Sequence, residues 1–247
     1  MKTAVVQGAS RGIGLGVVRH LLERGVETVH ATCRDPAGAS ELAEIAEASR
    51  GRVRVHRLDL LDDASIESAA EAIREASPEI HLLFNTAGIL HGEGQSPERK
   101  LEDLDRERLR HIFEVNAFGP LLVTKALFPA LRHDERAVVA SLSARVGSIG
   151  DNRRGGWYGY RSSKAALNQL HRSLALELSR RAKNVVSVVL HPGTVETRLT
   201  EPFRRSVPEG KLFSVDHSVR QLLDVIASLD GEDHGGFFDY AKAPIEW

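Results

Sequence analysis

The sequence predicts an α/β fold: one doubly wound parallel sheet of about seven strands with helices on both faces. Three observations carry this. Along the 247 residues, apolar runs of strand length alternate with amphipathic segments of helix length, the pattern of a parallel sheet with crossover helices. Runs such as "VVSVVL" are continuously apolar, as strands covered on both faces are. A glycine-rich turn, "QGASRGIGLG", separates the first strand from the first helix.

The elements follow in order. "TAVVQ" (3–7) reads as a strand and "GIGLGVVRHLLERG" as a helix ending at Gly25, a suitable residue for the left-handed position after a helix. Strand "ETVHATC", helix "ASELAEIAEASR" and strand "RVRVHRL" come next. Helix "DASIESAAEAIREA" follows, with Asp62 or Asp63 as N-cap. Strand "IHLLFN" leads into a loop at 90–102, and one long helical pattern runs from 103 to 131. Strand "RAVVASL", a helix from "WYGYRSSK" to about 182, strand "NVVSVVLH", a helix around 217–228 and a short strand in "GGFFDY" complete the chain. No repeat, low-complexity stretch or linker interrupts it, so residues 1–247 read as one domain.

Composition narrows the function. Net charge is −1 with both signs interspersed, and the basic pairs Arg153–Arg154 and Arg204–Arg205 are too short for a nucleic-acid surface. No apolar stretch approaches the ~18 residues of a membrane span. The start, "MKTAVVQGAS", has no signal-peptide core, and the expected location is the cytoplasm. The single cysteine, Cys33, forms no intrachain bridge and reads as a small buried residue. The 11 histidines show no metal-ligand spacing, so no metal site is expected.

Gly8, Gly12 and Gly14 permit a tight turn, let backbone approach a pyrophosphate, and open a helix whose N-terminus attracts anions. No phosphate-loop motif with Lys-Ser or Lys-Thr competes with this reading. An acidic residue at the end of the second strand would hold a ribose 2′-hydroxyl. The chain has Cys33 and Arg34 there instead. Arg34, with Arg11 from the glycine turn, suits a 2′-phosphate, which favours NADP(H) over NAD(H). The plainer role for Arg34 is a surface charge with Asp35 as local partner.

"WYGYRSSK" places Tyr160 and Lys164 at i and i+4, on one helix face. A nearby ammonium is expected to lower the phenol from its usual value of about 10, making Tyr160 usable in proton transfer. Tyr158 falls nearly opposite Lys164 and reads as an entrance or packing residue.

Several ordered motifs together resemble the short-chain dehydrogenase/reductase family, of Rossmann type. "GASRGIG" (8–14) resembles the family's T-G-x-x-x-G-x-G turn, with Gln7 in place of Thr; "LDL" points to Asp59 and Leu60; "NTAG" (85–88) resembles N-N-A-G. "VNAFG" supplies Asn116, "YRSSK" supplies Tyr160 and Lys164, and "HPGTVET" (191–197) resembles the turn that seats the nicotinamide. The resemblance implies hydride transfer between nicotinamide and a carbonyl or alcohol. In it Tyr160 moves the proton, Lys164 holds the ribose and tunes Tyr160, and Asn116 helps hold a water. A serine orients the carbonyl. Aligned on Val138–Val139 that serine is Ser143. Aligned backward from Gly147 the position falls on Ala144, and Ser141 stays open as well. The implied cofactor contacts are Gly8, Ser10, Arg11, Gly12, Ile13, Gly14, Arg34, Asp59, Leu60, Asn85, Ala87, Gly88, Tyr160, Lys164, Pro192, Gly193, Thr194, Val195 and Thr197.

The end "GGFFDYAKAPIEW" resembles the carbonyl-reductase-like branch that includes C-factor and sniffer proteins. That branch implies a second function class, a dinucleotide-binding signalling protein with little turnover. The family resemblance as a whole implies a homodimer or homotetramer packed through the two long helices before and after the fifth strand. His91 is a candidate substrate neighbour but reads first as a surface residue. Trp157 reads as pocket wall or packing, and "TEPFRRSVPEGKLF" as a lid.

Overall fold

The computed structural model describes residues 1–92 and 96–247, so the predicted loop at 90–102 lies partly outside the described residues. The strands are β1 (Thr3–Gln7), β2 (Thr28–Cys33), β3 (Val53–Arg57), β4 (Leu82–Asn85), β5 (Ala137–Leu142), β6 (Val185–His191), β7 (Thr194–Val195), β8 (Leu212–Phe213) and β9 (Phe237–Asp239). The helices are α1 (Gly12–Glu23), α2 (Ser40–Ala48), α3 (Asp63–Ala76), α4 (Arg106–Phe113), α5 (Gly119–Leu131), α6 (Tyr158–Arg181) and α7 (Val215–Ser228). Seven strands form one sheet in the order β3-β2-β1-β4-β5-β6-β9, and every pairing is parallel. The short strands β7 and β8 pair with each other, a ladder the sequence reading did not foresee.

Side chains alternate across the sheet. Ala4, Val6, Leu82, Phe84, Val138 and Ala140 face α1 and α7, where they meet Val17, Leu21, Leu222 and Ile226. Val5, Leu83 and Val139 face the other way, onto Ile73, Leu127 and Leu178 of α3, α5 and α6. Each central strand is buried on both sides, which is why its sequence lacks polar alternation. Asp62 is the N-cap of α3 and accepts from Ser65 N–H at 3.1 Å.

The long helix expected over 103–131 runs without a break from Arg106 to Leu131, with a π-helical turn inside it. A 3-10 turn at Leu101–Asp103 precedes α4, and a π-helical turn, Glu114–Phe118, joins α4 to α5. Pro120 has no N–H to give to residue 116, so a regular four-residue ladder cannot run through this point. The apolar periodicity continues across the junction and hid it. Asn116 lies in the π turn.

Candidate active site

The strand order runs outward from β1 in one direction and from β4 in the other. The crevice beyond their C-terminal ends is therefore the topological switch point, where such sheets bind ligands. The glycine turn enters it from β1. Gly8 has φ +87, and a Cβ there would lie 2.8 Å from Ala87 Cβ; one on Gly14 would lie 2.2 Å from the Gly8 carbonyl oxygen. Side chains at either position would fill the cradle. Arg11 makes no side-chain cap on α1, and the first bond inside the helix is Leu15 N–H to Arg11 O at 3.3 Å. The N–H groups of Gly12, Ile13 and Gly14 thus have no helical acceptor and, beside Ser10, suit a diphosphate. The two departures from the family turn knit β1 to β4. Thr86 Oγ1 donates to Gln7 O at 2.7 Å, and Ala87 N–H donates to Gln7 Oε1 at 3.3 Å.

Arg34 is exposed just past the end of β2 and has no ion-pair partner among the described residues. Its expected local pairing with Asp35 does not form, because Asp35 Oδ1 accepts Gly38 N–H at 3.2 Å instead. Asp59 Oδ1 accepts Leu61 N–H at 3.1 Å, and Leu60 is buried against Gly119. The Asn85 side chain turns inward and donates to Ser141 Oγ at 3.0 Å.

Beyond β6, Ser218 Oγ donates to Pro192 O at 2.7 Å. Gly193 has φ +80, and a Cβ there would strike the Phe213 ring at 2.7 Å. Thr194 and Val195 form β7. The Thr197 methyl lies 3.5 Å from where a Cβ on Gly12 would stand, so this turn returns over the glycine cradle.

Helix α6 carries Tyr160 and Lys164 one turn apart. Tyr160 is 8% exposed and Tyr158 41%, so only the former belongs to the interior of the cleft. Lys164 Nζ donates to Leu142 O at 2.8 Å. A Cβ on Gly88 would lie 3.4 Å from both Lys164 Nζ and Asn116 Oδ1, which places all three residues together. Asn116 clasps Ile89: its Nδ2 donates to Ile89 O and its Oδ1 accepts Ile89 N–H, each at 2.8 Å. Its Nδ2 also donates to Ser163 Oγ at 3.0 Å.

Ser141 and Ser143 differ in what their hydroxyls meet. Ser141 lies within β5, and its oxygen is held by Asn85 and by His171 Nε2 at 2.7 Å. Ser143 stands just past the strand end, next to Ala144, which packs with Tyr160. Its Oγ donates to Asn168 Oδ1 at 2.6 Å.

The electrostatics differ from expectation. Burial pushes the Tyr160 phenol up to about 12 and the Lys164 ammonium down to about 8. The ammonium is 5.9 Å from the Tyr160 ring centroid and bonded to a carbonyl, so desolvation outweighs its pull on the phenol. A phenol in that range is a proton donor at neutral pH.

The short chain dehydrogenase family model matches residues 2–208. The chain belongs to the short-chain dehydrogenase/reductase family. The NADPH-bound carbonyl reductase from chicken fatty liver is 31% identical with a TM-score of 0.90, covering 100% of this chain and 99% of that one. Carbonyl reductase Sniffer of Drosophila melanogaster is 27% identical with a TM-score of 0.89, covering 100% of both chains. C-signal of Myxococcus xanthus is 42% identical over 168 residues, which are 68% of this chain and 93% of that one.

This short-chain dehydrogenase/reductase surrounds its tyrosine with contacts that no spacing in the sequence announces. Trp157 packs on Tyr160 edge-on, with centroids 6.4 Å apart, and on Phe203, from the segment between β7 and β8, at 5.0 Å. His91 is no free surface residue: its Nε2 donates to Leu199 O at 3.1 Å, tying the loop after β4 to the segment between β7 and β8. Gly155, Gly156 and Trp157 all have positive φ, a tight left-handed entry into α6. Glu98 secures that entry. It is 4% exposed, its backbone O accepts Trp157 N–H at 2.5 Å, and its Oε2 accepts Gly159 N–H at 3.2 Å. Removing such a cap costs about 1 kcal/mol, so Glu98→Ala is expected to lower the melting temperature by about 2–4 °C. Glu98→Gln, which keeps the acceptor, should restore most of the loss in a thermal melt.

Proposed function

We propose that this short-chain dehydrogenase/reductase interconverts carbonyl compounds and alcohols with NADP(H). Tyr160 serves as general acid in reduction and general base in oxidation. The observation that carries the reading is the gathering of Tyr160, Lys164, Asn116 and Ser143 around the ends of β4 and β5, beside a turn that only glycines can form. The dinucleotide, when bound, supplies or accepts the hydride. Gly8, Ser10, Gly12, Ile13 and Gly14 hold its diphosphate; Asp59 and Leu60 border the adenine; Asn85, Ala87 and Gly88 line the middle of the cleft. Pro192, Gly193, Thr194, Val195 and Thr197 form the wall on the nicotinamide side. Ser143 donates a hydrogen bond to the substrate oxygen and steadies the charge that develops there. Tyr160 delivers its phenolic proton to the same oxygen. Lys164 orients the ribose and holds positive charge near the phenolate left behind, while Asn116 fixes the Ile89 backbone beside it.

NADP(H) over NAD(H) rests on Arg34, exposed where an acidic residue would reject a 2′-phosphate, with Arg11 on the glycine turn whose Gly8 and Ala9 N–H groups bond to Thr32 O at the end of β2. The NADPH in the chicken carbonyl reductase agrees with this. Arg34→Ala is expected to raise KM for NADPH about tenfold, the loss of one charge-assisted contact. KM for NADH should stay within threefold, which steady-state kinetics with both cofactors will check. The apolar neighbours of Tyr160, including Leu90, Ile112, Trp157 and Phe203, support an aldehyde or ketone without a charged group at the reacting end. Exposed Phe118 and Leu176, on the segments before and after β5, support a homodimer or homotetramer. Among the described residues no helix is long and apolar enough to cross a membrane.

The likeness to C-signal supports a second reading, a dinucleotide-binding signalling protein with incidental turnover. Incubating the protein with NADPH and a panel of aldehydes, ketones and diones separates the two. Carbonyl-dependent loss of NADPH absorbance is expected. Tight NADPH binding without consumption across the panel would favour the signalling protein.

A further inference from the structure

Asn168 is a residue that the four-residue machinery leaves out, yet it holds one member of it. It lies one turn beyond Lys164 and two beyond Tyr160, so all three share a face of α6. Asn168 and Ser143 are each 3% exposed. The 2.6 Å separation of Ser143 Oγ from Asn168 Oδ1 is that of an O–H···O bond and is shorter than an N–H···O bond. The serine proton therefore points at Asn168, not at the cleft. A hydroxyl has one proton, and in this state Ser143 has nothing to donate to a carbonyl oxygen.

The other end of the amide is loosely held. Among the described residues Asn168 Nδ2 reaches only Gly147 O, at 3.5 Å. Turning the amide by half a revolution exchanges that long contact for Oδ1 set against the Gly147 oxygen, a cost the donating state recovers from the bond to substrate, and points an N–H at Ser143 Oγ. The serine proton is then released toward the cleft. The resulting chain, Asn168 N–H to Ser143 O–H to substrate oxygen, polarises each bond in the direction that oxyanion charge needs.

We propose that Asn168 is a positioning residue that switches Ser143 between an idle and a donating state by rotation of its side-chain amide. This rests on the reading of Ser143 as the hydroxyl that meets the substrate oxygen, and it assigns no new contact between Asn168 and substrate. No covalent step is involved: one hydrogen bond changes direction, and the serine keeps its proton throughout.

The test is a double-mutant cycle on kcat for carbonyl reduction, with NADPH affinity measured by fluorescence titration as a check on folding. An ionised carboxylate at position 168 accepts and does not donate, so Asn168→Asp, assayed at pH values where that carboxylate is ionised, should hold Ser143 in the idle state. Its kcat is expected to fall about 100-fold, the loss of one oxyanion donor, with NADPH affinity within threefold of wild type. Asn168→Ala should lose less, about tenfold at most, since it frees the hydroxyl without aiming it. In a Ser143→Ala background both substitutions should change kcat by less than about threefold, because the group they act on is gone.

Losses at 168 that multiply with Ser143→Ala, or an Asn168→Asp enzyme within threefold of wild type, would overturn the proposal. If Asn168→Asp fails to bind NADPH, the cycle with Asn168→Ala decides alone. A Ser143→Ala enzyme that keeps wild-type kcat would instead remove the Ser143 reading itself.

Discussion

Tyr160→Phe is expected to lower kcat for carbonyl reduction by about 10³-fold, within the range that a positioned general acid contributes. NADPH affinity should stay within threefold, because the ring and its packing against Trp157 remain. The same reading fixes the pH profile. With the phenol held up near 12 it stays protonated through the neutral range, so it places no lower limb on reduction. Lys164, pushed down to about 8, is charged below that pH and neutral above it. Reduction should therefore plateau below pH 8 and fall above it as the ammonium loses its proton. Oxidation has the opposite need, a phenolate, and should rise over the range where reduction falls. Retention of more than a tenth of wild-type kcat in Tyr160→Phe would remove the tyrosine from the mechanism. A reduction rate that climbs above pH 8 would remove the assigned role of Lys164.

Acid should unfold this protein well before its carboxylates protonate. His30 is fully buried, with Nδ1 2.9 Å from His56 Nε2 and Nε2 2.9 Å from Ser77 Oγ. His171 is 2% exposed between Ser141 and Ser187. Burial pushes each down to about 4 from the usual 6.5, with the neighbouring His56 adding to the effect on His30. Between those values the unfolded chain binds protons that the folded chain refuses, so stability is lost as pH falls from 6.5 toward 4. Each group contributes about 1.4 kcal/mol per pH unit over that window. Two such groups over the window give about 7 kcal/mol, comparable with the whole stability of a typical domain. Urea midpoints are expected to drop steeply from pH 6.5 to pH 4.5. The double variant His30→Gln with His171→Gln should show a much shallower decline, though starting from a lower stability at pH 7. Parallel declines in the two proteins would count against the account.

The sequence made some features plain and hid others. Tyr160 and Lys164 were legible because a helix turns a fixed spacing into a shared face, and Gly8, Gly12 and Gly14 because their turn follows directly on a strand. The central strands were legible because burial on both faces leaves runs of Val, Leu and Ala. Asn168 on Ser143, Glu98 on Gly159 and Phe203 on Trp157 were not. Each joins segments far apart in the chain, and no local periodicity encodes such a meeting. The π turn at Asn116 was hidden for a different reason: the helical path and its apolar periodicity continue through it, and Pro120 alone does not announce an extra residue in the turn. The state of Tyr160 was misread because desolvation is collective, while spacing shows only the nearest charge.

The short ladder between β7 and β8 has a consequence for how this scaffold can be altered. Its two parallel partners, Thr194–Val195 and Leu212–Phe213, fasten both feet of the arch that carries Leu199 and Phe203. Closing the arch is done by backbone pairing at its base, so its crown can vary in length at small entropic penalty. Grafting a foreign crown between those feet should reshape what Tyr160 meets while the seven-stranded platform beneath goes on folding as before.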